Sequence, residues 1–172
     1  MNKKLAYFII AVAIQAMIIA AVPGKQIYTR LTGKVIMIKT APVDPYDFLS
    51  GYHVALNYEI SRPKGFDGPE VRSGSTVYVI LGEDPNGVWS AQSAYSSWPK
   101  DVPAGCIVIK GTCDRSRVNY GIEKYFIPEK SRNSIEKDLR QNARIAKAQI
   151  KIDNYGNAAL VKLIVADRAY EY

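Results

Sequence analysis

Residues 33–61, reading GKVIMIKTAPVDPYDFLSGYHVALNYEIS, decide how the chain folds. In Lys34 to Thr40, Val35, Met37 and Lys39 alternate with Ile36, Ile38 and Thr40. Both sets are largely apolar, which predicts a strand opened by Gly33 and buried on both faces. In Tyr52 to Ile60 the alternation is cleaner: Tyr52, Val54, Leu56, Tyr58 and Ile60 oppose His53, Ala55, Asn57 and Glu59. This period of two predicts a strand with one buried face and puts His53 on its more polar side. Between them lies Ala41-Pro42-Val43-Asp44-Pro45-Tyr46-Asp47. A residue before proline is driven out of the helical region, and aspartate bonds its own backbone two residues on, so a rigid turn is expected. The carboxylates of Asp44 and Asp47 could hold a cation or act as acid and base; capping the turn is their plainer role.

Working outward toward the N-terminus, Leu5 to Val22 (LAYFIIAVAIQAMIIAAV) carries no charge, and Gln15 is its one strongly polar residue. At 1.5 Å per residue the run reaches about 27 Å, close to the hydrocarbon thickness of a bilayer. It is read as an uncleaved transmembrane anchor over residues 1–24, stopped by Pro23-Gly24, with a cleaved signal peptide as the alternative. Lys3 and Lys4 on the short tail keep that end cytoplasmic and send the rest of the chain outside. Residues 25–32 are then a juxtamembrane connection and residues 33–172 a single β-rich domain.

Beyond Ser61, strands are expected at Ser75 to Leu81, Val88 to Tyr95 and Cys106 to Gly111, with Asn86-Gly87 as a hairpin turn. Val118 to Ile127 reads as one strand or as two short ones around Gly121. Asn133-Ser134-Ile135-Glu136 has the capping pattern of a helix start, and Ile135, Leu139, Ala143 and Ala146 recur at helical spacing, predicting a helix over Ser134 to Ala148. Gln149 to Asp153 and Ala158 to Ala166 close the chain as a hairpin. The fold class expected is mainly β with one helix in the C-terminal half, an antiparallel α+β domain behind a single membrane helix.

The formal net charge of +7 is dispersed, and no zinc-finger spacing or RNA-binding aromatic signature accompanies it, which points away from nucleic acid and toward a solvated surface or an anionic lipid headgroup. With one histidine and two cysteines, no metal site is expected. If Cys106 and Cys113 lie on one strand they are about 23 Å apart, so a disulfide requires a bend near Gly111. No Gly-rich phosphate loop precedes a helix, and no cofactor is expected. A membrane-surface hydrolase of the Ser/Lys type, like a signal peptidase, can be drawn with Ser50 and Lys34 or Lys39, and a triad with Ser50, His53 and Asp44 or Asp47. Neither has a nucleophile motif around Ser50. Glu123 and Glu129 flank Tyr125-Phe126 as a possible acid pair, or as a surface acid and a turn residue.

Pro42-Val43-Asp44-Pro45, Gly51, Leu56-x-Tyr58 and the later run Tyr120-Gly121-Ile122-Glu123-x-Tyr125-Phe126-x-Pro128-Glu129, behind a membrane-length N-terminus, resemble the membrane-anchored GDYXXLXY proteins of bacteria. The likeness covers most of the chain. Where that family has Gly-Asp-Tyr, this sequence has Gly51-Tyr52-His53, while Leu56 and Tyr58 match. Loss of the carboxylate at Tyr52 points to a structural or binding motif, or to a member that has lost an activity. The resemblance brings no biochemical function and no catalytic residue with it, and implies only a membrane partner such as a polytopic membrane protein; the leading expectation is an anchored extracytoplasmic domain that binds another membrane or envelope component.

Overall fold

Helix α1 (Lys3–Thr32) leads directly into strand β1 (Lys34–Ala41). The computed structural model describes residues 3–41, 53–63, 72–126, 135, 138–139, 142, 145–166 and 168–171. The strands that follow β1 among these residues are β2 (His53–Ala55), β3 (Asn57–Tyr58), β4 (Thr76–Glu83), β5 (Val88–Tyr95), β6 (Ile107–Asp114), β7 (Arg117–Asn119), β8 (Lys124–Phe126), β9 (Lys147–Ile152), β10 (Ala158–Val165) and β11 (Arg168–Glu171). The main sheet runs β11-β10-β9-β1-β5-β4-β6-β7, with β3 added to the end of β1, and β2 pairs separately with β8.

β1 therefore lies inside the sheet, antiparallel to β9 from Lys34↔Ile152 to Lys39↔Lys147, and parallel to β5 through Met37↔Val88 and Ile38↔Trp89. The parallel pair corrects the expectation of a wholly antiparallel domain. Between β1 and β5 the chain crosses over through β2, β3 and β4, the long connection that a parallel pair requires. Burial of β1 is also one-sided: Ile36, Ile38 and Thr40 face the core, whereas Val35 and Lys39 are exposed. The strand expected over Tyr52 to Ile60 is broken at Leu56, because its first part pairs with β8 and its second with β1. The apolar alternation nevertheless describes the burial, with Leu56, Tyr58 and Ile60 all inside, the last in a 3-10 turn at Glu59–Ser61.

The core fills one face of the curled sheet. Ile38, Val77, Val79, Ile109, Ala148, Ile150 and Leu163 come from the strands, and Leu56, Tyr58, Tyr120, Ile122, Tyr125, Ile135 and Leu139 cover them. The curl nearly brings the sheet back on itself. The Lys110 N–H of β6 donates to the Gly156 carbonyl at 2.7 Å, so the tip of the β9–β10 hairpin meets a strand four places away in the sheet order. Gly156 makes this approach possible: φ is +79°, and a Cβ there would lie 3.1 Å from Lys110 N.

The β4–β5 hairpin forms as expected. The Asp84 carboxylate accepts the Asn86 and Val88 N–H groups at 2.9 and 2.8 Å, closing the turn. The backbone bond from Val88 is the main cause holding that carboxyl below its usual range. β6 runs straight through Gly111 to Asp114, so the bend needed to bridge Cys106 and Cys113 is missing and the two are not joined. Gly111 is instead a contact point, since a Cβ there would lie 2.4 Å from Val118 of β7. Val118 to Ile127 resolves into β7 and β8, which belong to different sheets.

Two helical expectations change. Pro23-Gly24 do not end the first helix: α1 continues to Thr32, and its arms Lys3–Ile19 and Pro23–Thr32 meet at 48°, as when proline removes one backbone bond and kinks a helix. The juxtamembrane connection is thus helical. Among the described residues no single helix is long and apolar enough to cross a membrane, although the two arms together pass by length and composition. Of the helix expected over Ser134 to Ala148, Ile135, Asp138, Leu139 and Asn142 are helical and most of the remainder lies outside the described residues. Lys147 and Ala148 belong to β9, where pairing with β1 overrides helical spacing. The chain also adds β11 to the closing hairpin, antiparallel to β10.

The junction of α1 and β1 is tight. A Cβ on Gly33 would lie 2.6 Å from the Thr29 carbonyl oxygen and 3.0 Å from the Ile152 backbone. These are backbone atoms and cannot swing aside. Gly33→Ala is expected to cost about 2–3 kcal/mol in a urea unfolding curve. Gly24→Ala, with nothing within 4 Å, should be neutral or slightly stabilising.

Candidate functional site

The two motif segments, Leu56-Asn57-Tyr58 and Tyr120 to Phe126, close on each other. Tyr58 donates its hydroxyl to the Ile122 carbonyl at 2.6 Å, and Tyr120 donates to the Ile60 carbonyl at 2.6 Å. The Leu56 N–H donates to the Glu123 carbonyl at 2.7 Å, and β2 and β8 pair alongside from His53↔Phe126 to Ala55↔Lys124. Each segment thus supplies a tyrosine that fastens the other's backbone. Burial first, and the Glu123 carboxylate second, push both phenols above their usual range, so both remain protonated donors.

Glu123 turns its carboxylate back on its own segment, accepting the Tyr120 and Gly121 N–H groups at 2.5 and 2.9 Å. It is a turn cap ahead of β8, and not the surface acid on a strand that its place in the sequence suggested. Tyr125, buried in the core, donates to the Tyr170 carbonyl of β11 at 2.6 Å, and Tyr170 donates its own hydroxyl to Asp138 at 2.6 Å. Arg168 reaches the same Asp138 oxygen at 3.2 Å. Burial, with that bond to Asp138, raises the Tyr170 phenol.

Pro42, Val43, Asp44, Pro45, Asp47, Ser50, Gly51, Tyr52, Pro128 and Glu129 lie outside the described residues. Of the lysines drawn for a Ser/Lys site, Lys34 holds its ammonium 4.9 Å from the centre of the Trp89 ring, a cation–π contact. Among the described residues no group of three or more His, Cys, Asp or Glu side chains could hold a metal ion.

A second constellation escapes a sequence reading because its members are far apart in the chain. Thr29, on the last turns of α1, donates its hydroxyl to Asp153 at 2.7 Å. The same carboxylate accepts the Tyr155 and Asn157 N–H groups, each at 2.9 Å, and the Asn157 side-chain amide. Burial alone would raise the Asp153 pKa. The bonds from the Asn157 side chain, Thr29 and the two backbone donors outweigh it, and the carboxyl sits below its usual range. Arg30 donates to the Leu160 carbonyl at 3.1 Å and Lys151 donates to the Arg30 carbonyl, so both sides of the helix end are fastened. The Asp-x-Tyr-Gly-Asn order of the turn signals its geometry. Nothing local signals Thr29.

The fastened end of α1 lies over the seam where the sheet curls back. Two adjoining clefts open there, of about 460 and 300 Å³, sharing Gln26, Asn119 and Gly121 in their walls. The larger lies between α1, the β7–β8 turn and Leu160, and contains Arg30, Glu123 and Lys124. The smaller reaches β6 and the hairpin tip and contains Lys25 and Lys110.

No curated protein and no solved structure matches the chain. The family model described as GDYXXLXY protein matches residues 15–163. That span holds the second half of α1, every strand from β1 to β9, most of β10 and both halves of the tyrosine clasp, and the chain belongs to the GDYXXLXY family.

Proposed function

We infer that this chain is a membrane-anchored, extracytoplasmic domain that acts by binding another component of the membrane or envelope. One observation carries the reading: the apolar arm of α1 exposes its large side chains, among them Phe8, Ile9, Ile14 and Ile18, while the next arm is fastened to the β-domain through Thr29 and Asp153. An exposed apolar surface of this length is a membrane or protein contact. Fastening the helix to the domain sets the domain's attitude to whatever holds the helix. Binding is favoured over chemistry because three polar groups of the motif among the described residues are engaged internally, the Tyr58 and Tyr120 hydroxyls on backbone carbonyls and the Glu123 carboxylate on backbone N–H groups.

The full chain should remain with membranes after an alkaline carbonate wash, and protease added from outside should digest the β-domain. Photo-crosslinkers on the exposed arm should then trap one membrane protein reproducibly. A chain released by the wash, or one that crosslinks to nothing and runs as a monomer, overturns the reading. So does labelling by a serine-directed probe that is abolished in Ser50→Ala.

A further inference from the structure

The geometry points to a binding site for a net-anionic, phosphate-bearing headgroup in the paired clefts beneath the fastened end of α1. Their walls carry four cationic side chains, Lys25, Arg30, Lys110 and Lys124, against one carboxylate, Glu123. That carboxylate already accepts two backbone N–H groups and is turned toward its own chain. Lys25, Lys110 and Lys124 are exposed and form no ion pair with any described residue. Arg30 spends one donor on the Leu160 carbonyl and keeps others of its planar fork for an anion.

Four cations from α1, β6 and β8 come to line two adjoining clefts, Arg30 and Lys124 the larger and Lys25 and Lys110 the smaller, only because the sheet curls and the helix crosses its seam. Three lysines scattered over a convex face would be separately hydrated; in adjoining clefts with common walls their fields add on a multivalent oxyanion. Ile122, Tyr125 and Leu160 give the larger cleft an apolar wall, suited to the glycerol and first methylenes of a lipid. Depth also fits. From Val22, where the apolar run ends, to Lys25 is a rise of about 4.5 Å along a helix, which carries the clefts past the edge of the hydrocarbon toward the headgroup layer. This last step rests on the tethering proposed above; the cation cluster does not.

The test uses the full chain in a mild non-ionic detergent, titrated with short-chain phosphatidylglycerol, short-chain phosphatidylcholine and inorganic phosphate. Phosphatidylglycerol should bind, phosphatidylcholine should not, and the affinity should fall with ionic strength. In the triple variant Lys25→Gln, Lys110→Gln, Lys124→Gln the affinity should drop roughly a hundredfold, about fivefold per lysine. These side chains are exposed, so the variant should keep its unfolding midpoint. Inorganic phosphate binding as tightly as the lipid, with the same dependence on the lysines, supports the site and assigns its phosphate to solution. Equal binding of phosphatidylcholine, or an unchanged affinity in the triple variant, overturns it. Membrane fractionation of the same variant separates the two proposals. A chain that leaves the membrane sinks the tether, while the phosphate titration still decides the site.

Discussion

Replacing Tyr58 with alanine is expected to destabilise the β-domain by about 4 kcal/mol. The ring is 2% exposed, and truncating it removes a large buried aromatic from between β1 and the cover of the core. It also strands the Ile122 carbonyl, which accepts the tyrosine hydroxyl inside the protein. Tyr58→Phe separates the two effects: ring packing stays, the hydrogen bond goes, and the loss should be about 1–2 kcal/mol. Because Tyr58 and Tyr120 fasten the same two segments from opposite sides, Tyr58→Phe and Tyr120→Phe should not be additive. Once one bond is gone the segments can part slightly and the second bond weakens. Urea unfolding of the single and double variants measures this coupling, and simple additivity would mean that the two bonds are independent.

Asp153→Ala should cost about 3–4 kcal/mol. Asp153 is 4% exposed, and its removal leaves two backbone N–H groups and the Asn157 amide without their acceptor and turns the Thr29 hydroxyl back to the Lys25 carbonyl of its own helix. The loss should be felt at a distance as well, since Thr29 is the buried point at which α1 meets the sheet. Amide exchange over residues 25–32 should quicken more than exchange in β4 to β6. The pH dependence follows from the same carboxylate. Its folded pKa lies below the unfolded value of about 3.9, so its contribution is fully present above that value and disappears as the pH falls through the lower, folded one. Asp153→Asn should lose this part of the acid dependence, and comparing unfolding near neutrality with unfolding at about pH 3 reveals it. An unaltered acid dependence in Asp153→Asn would place the titration elsewhere.

Most of the longer strands were legible in this sequence. Val88 to Tyr95 begins and ends where its composition says, and the alternation of Leu56, Tyr58 and Ile60 describes their burial even though the strand changes partners there. Faces and partners were harder. β1 looks apolar on both sides, yet Val35 is exposed, because a sequence records a residue's hydrophobicity and not the side on which the core assembles. Helical spacing at Ala146 lost to pairing, since Lys147 and Ala148 complete the ladder with β1. Pro23 marked a real break in direction but not an end, because Thr29 and Arg30 hold the following arm as a helix against the sheet. Of the candidate site, the tyrosine-rich motif halves were visible as a pattern, and their reciprocal bonding was not. Lys25, Lys110 and Lys124 meet only in three dimensions, so no local pattern announces the seam they share.

The place of β1 inside the sheet sets the order in which the domain can be completed. β4 pairs with both β5 and β6, the two strands that follow it in the chain, so that three-stranded unit can form as soon as residue 114 has left the ribosome. β1 must wait. Its longest ladder is with β9, so more than a hundred residues separate the two halves of that pairing, and no nascent chain that stops short of Ile152 can fill it. The first strand to leave the ribosome therefore lacks its main partner until nearly the whole polypeptide has followed.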